Sequence, residues 1–330
     1  MKNLMIGMVL FITTVGGAFA QQDPQFTQFM HSRLIYNPGY AGTSDALCGN
    51  MVYRKQYVNF PGAPTTGLFS FDMPILRNFG IGLNAMSDEI GPIKTTYARL
   101  ALSYIQKTKY GKFGIGMDGG LQQLGISSSW IVPEPGKEDI AIPGMYQSGV
   151  NIVNNPNLNR GTFDMNVGGY FVVPNVCYVG LSTTHLTAQN ISASSNIYFA
   201  MARHYYLTAG YGRYLTPRDN VSANLKIKTD AATTQVDLNV TYTNDNLWWT
   251  GISFRRQDAI APMIGYKFLN RSLKVGYSYD ITLSKLRGYS SGTHEIMLSY
   301  CIPMSKICHL DTTAYDNVRF LNGINNWDGK

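Results

Sequence analysis

The chain has 330 residues, 45% hydrophobic and 12% aromatic with 22 Tyr, and a formal net charge of +7. Charged residues make up only 14% of it, well under the roughly 25% typical of soluble domains, and the basic excess is scattered with no Lys/Arg block, which argues against a nucleic-acid partner. Past residue 20, no segment stays apolar over the ~18 residues that mark a membrane helix, so helical membrane proteins are excluded.

At the start, Lys2 is followed by the apolar run "LMIGMVLFITTVGG" and then Ala18-Phe19-Ala20. A charged n-region, an apolar h-region and an A-x-A site predict a secretory signal peptide over 1–20, cut after Ala20. No Cys follows the site, which argues against a lipid anchor. Residues 21–45 come next, too apolar and aromatic for a flexible tail and interrupted by "NPGYAG" at 37–42.

From 46 to 302 the recurring signal is two-residue alternation. In "SANLKIKT" at 222–229, Ala223, Leu225 and Ile227 share one face while Ser222, Asn224, Lys226 and Lys228 share the other. "QVDLNVTY" at 235–242 and "LKVGYSYD" at 273–280 repeat the pattern. Successive strand side chains point to opposite faces, so each run predicts a strand with one apolar and one polar side. Fourteen such runs lie near 47–59, 65–73, 79–88, 93–107, 111–126, 160–173, 175–186, 197–214, 219–229, 233–243, 246–256, 259–269, 272–282 and 292–302.

The connections alternate in length. The even-numbered hairpins are all short (74–78, 108–110, 174, 215–218, 244–245, 270–271), and every long connection (127–159, 187–196, 283–291) is odd-numbered. Outer-membrane barrels have short periplasmic turns, longer outside loops and an even strand count. The pattern therefore predicts an all-β fold: a transmembrane antiparallel β-barrel of about 14 strands in a bacterial outer membrane. A β-sandwich has no reason to sort its loops in this way, although "QDA" at 257–259 is short for an outside loop. An even count places both the 21–45 segment and the tail at 303–330 in the periplasm. The polar faces nominate Arg54, Arg99, Asp118, Lys226, Asp237, Lys274, Asp280 and Glu295 as lumen residues. Tyr57, Tyr104, Tyr170, Tyr214, Trp248, Trp249 and Tyr300 lie near strand ends, where aromatic girdles form.

Four Cys occur in an exported chain, where disulfides are permitted. Cys48 opens the first run and Cys301 closes the last, so a closed barrel makes them neighbours with both side chains inward. A Cys48–Cys301 bond and a pair of unpaired buried thiols both fit. Cys301 and Cys308-His309 are too loosely spaced for a metal site, and no metal or cofactor is expected. No G-x-S-x-G, H-E-x-x-H or phosphate loop occurs, so the chain is not expected to be an enzyme. "GIGMDGG" at 114–120 reads as strand glycines that ease a tight curve or a close-packed plug. His185 and His204 are isolated, and structural histidine is the default.

"DPQFTQFM" and "YNPGYAG", with "YRKQYVNFPGAPTTGLFSFDMPI" at 53–75 and "GYSYDITLSKLRGYSSGTHEIMLSY" at 276–300, resemble the PorP/SprF family. The motif positions are Asp23, Pro24, Gln25, Phe26, Gln28, Asn37, Pro38, Tyr40, Ala41, Gly42, Arg54, Gln56, Tyr279, Asp280, Ser284, Leu286, Gly292, His294 and Glu295. Gly39 stands where Ala is more usual, and Tyr57 where Trp often follows Arg-x-Gln. The resemblance implies an outer-membrane barrel of the type IX secretion system and gliding machinery, not an enzyme. It implies export or surface anchoring of a particular cargo, such as a gliding adhesin, through the cargo's C-terminal signal domain. Implied partners are that cargo, other secretion components such as a periplasmic ring or peptidoglycan-linked protein, and the lipid bilayer. A plugged channel for a small solute is the alternative.

Two expectations follow. Asn37-Pro38-Gly39 forms a turn flanked by packed Tyr36 and Tyr40, within a plug whose residues 25–42 are buried against the lumen wall. Asp280 and Glu295 face inward and pair with Arg54 across the closure, or with Lys274, either as a network holding the barrel shut or as a cargo contact.

Overall fold

The computed structural model describes residues 23–304, apart from 77, 127–159, 175, 188–189, 195–196 and 257. The segment before the barrel holds a 3-10 turn at Phe29–His31, the one-turn helix α1 (Arg33–Tyr36) and a second 3-10 turn at Pro38–Tyr40. Sixteen strands follow: β1 (Ala46–Lys55), β2 (Thr65–Leu76), β3 (Phe79–Ile90), β4 (Ile93–Lys107), β5 (Lys112–Ile126), β6 (Arg160–Val173), β7 (Cys177–Thr184), β8 (Asn190–Ser194), β9 (Ile197–Ala200), β10 (His204–Tyr214), β11 (Asp219–Thr229), β12 (Thr234–Asn244), β13 (Trp248–Arg255), β14 (Ala259–Phe268), β15 (Leu273–Thr282) and β16 (Thr293–Pro303). Fourteen close into one antiparallel barrel in chain order, with β7 paired to β10; β8 and β9 form a separate hairpin. Barrel strands run from 8 to 15 residues, and a tilted strand crosses a bilayer in about 9–11. No helix among the described residues is long and apolar enough to cross a membrane.

Closure is made by β1 against β16, with Cys48 opposite Cys301 and Arg54 opposite Glu295. Cys48 and Cys301 are joined by a disulfide, with Cα atoms 4.1 Å apart. The alternation sorts the wall. Leu100, Leu121 and Ile264 face outward and are more than half exposed, as lipid-facing residues are, while Ser222, Asn224, Lys226, Asp237 and Asn239 face inward and are buried. All eight nominated lumen residues, from Arg54 to Glu295, are buried on the inner face.

Four details differ from the sequence reading. The run 197–214 is two pieces, because Met201 turns inward onto Leu124 and ends β9 before β10 begins. The connection expected at 187–196 accordingly carries the β8–β9 hairpin. Tyr170 and Trp249 do not belong to a girdle: they point inward, 1% and 2% exposed, because the plug gives them an apolar interior to pack on. β3 runs two residues past the expected 88, to Ile90, which pairs with Ile93 and leaves a two-residue β3–β4 turn on the rim that carries the long connections.

The fourth difference concerns the plug. The sequence places the 21–45 segment on the periplasmic side, with residues 25–42 as a plug near the lower wall. Its described part instead runs the length of the lumen. Asp23 lies beside the outer ends of β7 and β10, at the rim carrying the long connections, and Asp45 lies at the tight-turn rim beside Lys112. An even strand count fixes only where residue 46 enters the wall. It says nothing about the path before it.

Candidate functional site

The plug is held in three zones. At the tight-turn rim, the Ala41 carbonyl accepts from Ser103 Oγ at 2.6 Å, the Gly42 N–H donates to Asp72 Oδ2 at 3.0 Å, and Lys112 pairs with Asp45. Gly42 has φ +71°, and a Cβ there would lie 2.8 Å from Gly80 Cα. Only glycine meets both demands.

In the middle, Asn37 accepts from the Gly39 N–H at 2.9 Å and caps the turn at Pro38–Tyr40. Its amide also donates to the carbonyls of Gly169 (2.9 Å) and Leu181 (3.1 Å). The turn presses so close to the wall that a Cβ on Gly116 would lie 2.5 Å from the Pro38 carbonyl oxygen. Of the glycines in "GIGMDGG", Gly114 and Gly116 thus serve close plug packing, while Gly120 lies against the neighbouring strand at Ala98 and Arg99. Arg33 donates to Tyr170 Oη at 3.1 Å and lies over the Tyr178 ring at 4.1 Å, a cation–π contact in a desolvated place. Tyr40 packs edge-on against Tyr170, and the Tyr36 ring lies tilted against Tyr206.

Above this, Phe26, Phe29, Met30, Ile35 and Tyr36 form one buried cluster with Val52, Leu68, Met86, Tyr97, Tyr206, Trp249, Met263 and Met297 from the inner wall. Beside the cluster the charges converge. Arg54 donates to Asp280 Oδ2 (2.7 Å), Glu295 Oε2 (2.9 Å) and Thr27 Oγ1 (2.9 Å). Glu295 also accepts the backbone N–H groups of Thr27 and Gln28, both at 2.7 Å. Arg255 reaches Asp237, Asp258 and Asp280, and Lys226 pairs with Asp237 at 2.8 Å. A buried charge is tolerated when its neighbours pair and hydrogen-bond it, and here the plug backbone supplies part of that pairing.

The half-buried His31, 5.4 Å from the Trp249 ring, is held well below its ordinary pKa by burial and by Lys274, Arg33 and Lys267. At the outer mouth, Asp23 meets His185 Nε2 at 2.8 Å and accepts from Tyr206 Oη at 2.7 Å. Burial pushes the Asp23 carboxyl up, but His185, His204 and Lys228 outweigh it and hold the group well below the usual carboxylate range. Burial pulls the His185 imidazole down, yet Asp23 and Asp164 push it up to about 9. Over the plug is a vestibule of about 360 Å³ lined by Asp23, Pro24, Gln25, Gln56, Tyr57 and Asp258 among others.

The structure thus brings Asp23, Pro24, Gln25, Phe26, Gln28, Asn37, Pro38, Tyr40, Gly42, Arg54, Asp280 and Glu295 into one plug–wall assembly, with Gln56 at the vestibule. Tyr279 and His294 are different. They lie on the outer face, rings 5.1 Å apart, with His294 Nδ1 2.7 Å from Tyr277 Oη. Sequence reasoning missed Met86, Met263 and Met297. Their signal was present as apolar residues at mid-strand positions on an otherwise polar face, which a water-filled lumen has no use for.

Fold and lumen together define a class, a plugged antiparallel β-barrel of the outer membrane. A family model described as "Type IX secretion system membrane protein PorP/SprF" matches residues 18–300. The chain belongs to that family and is a membrane component of the type IX secretion system. No curated protein matches it. Solved structures similar to it include a KdgM porin (10% identity, 77% of this chain and 98% of that one, TM-score 0.37). Another is the Acinetobacter baumannii outer membrane protein Omp33 (7%, 78% and 100%, 0.44). A third is the TodX deltaS2S3 mutant monoaromatic hydrocarbon channel (11%, 81% and 93%, 0.45).

Proposed function

We propose that this barrel serves the export or surface anchoring of one particular cargo protein by binding the cargo's C-terminal signal domain, without catalysing a reaction. The observation that supports this reading is the plug. The chain's own residues 23–45 fill the lumen, and their backbone is built into the buried charge network through Thr27, Gln28 and Glu295. A barrel filled in this way offers partners its rims. The outer rim carries the long connections, and the tail from 303 onward is a candidate contact for a periplasmic ring or peptidoglycan-linked component. The test is an affinity pull-down of the full chain in mild detergent, with partners identified by mass. Recovery of a protein bearing a C-terminal secretion domain, lost when that domain is deleted, is expected. Recovery of secretion components alone, with no such cargo, would refute cargo binding.

The vestibule of about 360 Å³ favours a second reading, a solute channel gated by the plug. That reading requires the plug to leave, and it predicts solute-dependent conductance in a planar bilayer.

A further inference from the structure

Three residues far apart in sequence meet at the outer mouth. Asp23 from the plug, His185 after β7 and His204 at the start of β10 each offer a ligand atom, and these atoms all lie within 4.8 Å of one another. His185 Nε2 is 2.8 Å from Asp23 Oδ1, and His204 Nδ1 is 3.7 Å from Asp23 Oδ2. His204 is 1% exposed, and neither of its ring nitrogens makes a hydrogen bond among the described residues. A buried imidazole without partners is costly unless something fills the place beside it.

The surroundings have the form of a ligand shell. His185 Nδ1 lies 2.7 Å from Asp164 Oδ2, and Arg99 holds Asp164 at 2.8 Å. A carboxylate behind the ring is the usual outer partner of a metal-binding histidine, fixing its tautomer and orientation. Tyr206 Oη, donating to Asp23 Oδ2 at 2.7 Å, orients the third ligand.

We propose that Asp23, His185 and His204 bind a divalent transition-metal ion of the zinc class, which fastens the start of the plug to the barrel wall. Two imidazoles and a carboxylate suit zinc, nickel or copper and not calcium or magnesium, which prefer all-oxygen sites. Asp23 and His185 also line a small cavity shared with Asp88, Thr95 and Gln122, the space from which water would complete a four-coordinate shell. Two cations oppose the ion: Arg99, already paired with Asp164, and Lys228, whose Nζ donates to the Asp23 carbonyl at 3.1 Å. Lys228 weakens the site and supplies a test of opposite sign.

The experiment uses the full chain, folded in detergent, stripped with a chelator and titrated with Zn²⁺ alone. Metal content gives the stoichiometry, and Co²⁺ in place of zinc gives the visible bands of a low-coordinate site. One ion per chain is expected. Asp23→Asn and His204→Gln should each weaken binding at least about 10-fold, His294→Ala on the outer face should leave it unchanged, and Lys228→Gln should tighten it severalfold. Zinc should also slow amide exchange in residues 23–28. Folding of each variant is checked by its heat-modifiable gel shift. If the ligand variants do not fold, wild-type stoichiometry and the Lys228→Gln direction decide. Substoichiometric zinc in the wild type, equal affinity in His204→Gln, or weaker binding in Lys228→Gln would overturn the proposal.

Discussion

Replacing Arg54 with Gln probes the charge network that ties plug to wall. Arg54 is 1% exposed and serves Asp280, Glu295 and Thr27 at once. Removing one partner of a buried ion pair costs about 3–5 kcal/mol, because the remaining charge is stranded. The two carboxylates are not stranded equally. Asp280 keeps Arg255 at 3.2 Å and the Thr27 hydroxyl at 2.7 Å, and Glu295 keeps two plug N–H donors at 2.7 Å. That residual pairing places the loss near the lower end, about 3 kcal/mol. The backbone ladder between β1 and β16 is untouched, so the loss should fall on the plug before the barrel. Amide exchange reads it directly: Thr27 and Gln28 should open about 150-fold more often, while the heat-modifiable gel shift survives. Neutralising the acids as well, in Arg54→Met/Asp280→Asn/Glu295→Gln, should recover much of the loss, since no charge is then left unpaired there: Arg255 keeps Asp237 and Asp258. Unchanged exchange in Arg54→Gln together with lost export would refute the structural role and assign these residues to cargo contact.

Gly116→Ala places a methyl against the Pro38 carbonyl and should loosen the plug by about 1–3 kcal/mol, as overpacking does; faster exchange over 37–42 is the readout, and wild-type exchange would contradict the packing. Mass spectrometry of unreduced peptides should recover Cys48 joined to Cys301, and free thiols at both would contradict the closure. Cys48→Ser releases a constraint spanning 253 residues, worth about 5.5 kcal/mol in the chain-entropy relation, and the urea midpoint should fall accordingly. For His31 the folded pKa lies well below the ordinary 6.5, so below that pH the unfolded chain binds more protons. Its contribution is therefore complete above about pH 6.5 and is lost progressively as pH falls toward the folded value. His31→Gln should flatten the acid decline of plug protection, and an unchanged profile would refute the burial.

Much of the wall was legible in the sequence because strand alternation is strictly local: Lys226, Asp237 and Asp280 could be assigned to the lumen from their neighbours alone. Loop parity added the closure, and closure made the strands of Cys48 and Cys301 neighbours and offered Arg54, or Lys274, as the partner of Asp280 and Glu295; the register that sets Arg54 opposite Glu295 came with the structure. The plug's depth was legible only as excess apolarity in residues 25–42. Its direction was not, because it depends on contacts such as Asp23 with His185 and Asp45 with Lys112, separated by 162 and 67 residues. The inward turn of Trp249 and Tyr170 was hidden for the same reason. An aromatic at a strand end reads as a girdle residue until the lumen is known to hold something apolar. The Asp23, His185 and His204 cluster has no spacing signature at all, since three separate segments contribute one residue each.

The account rests on a lumen filled by the chain's own residues 23–45, and conductance of the purified wild-type barrel in a planar bilayer examines that most directly. It predicts no sustained conductance steps at moderate voltage, with or without small solutes. Stable, ohmic pores from wild-type protein, of the size expected for an open fourteen-stranded barrel, would contradict it.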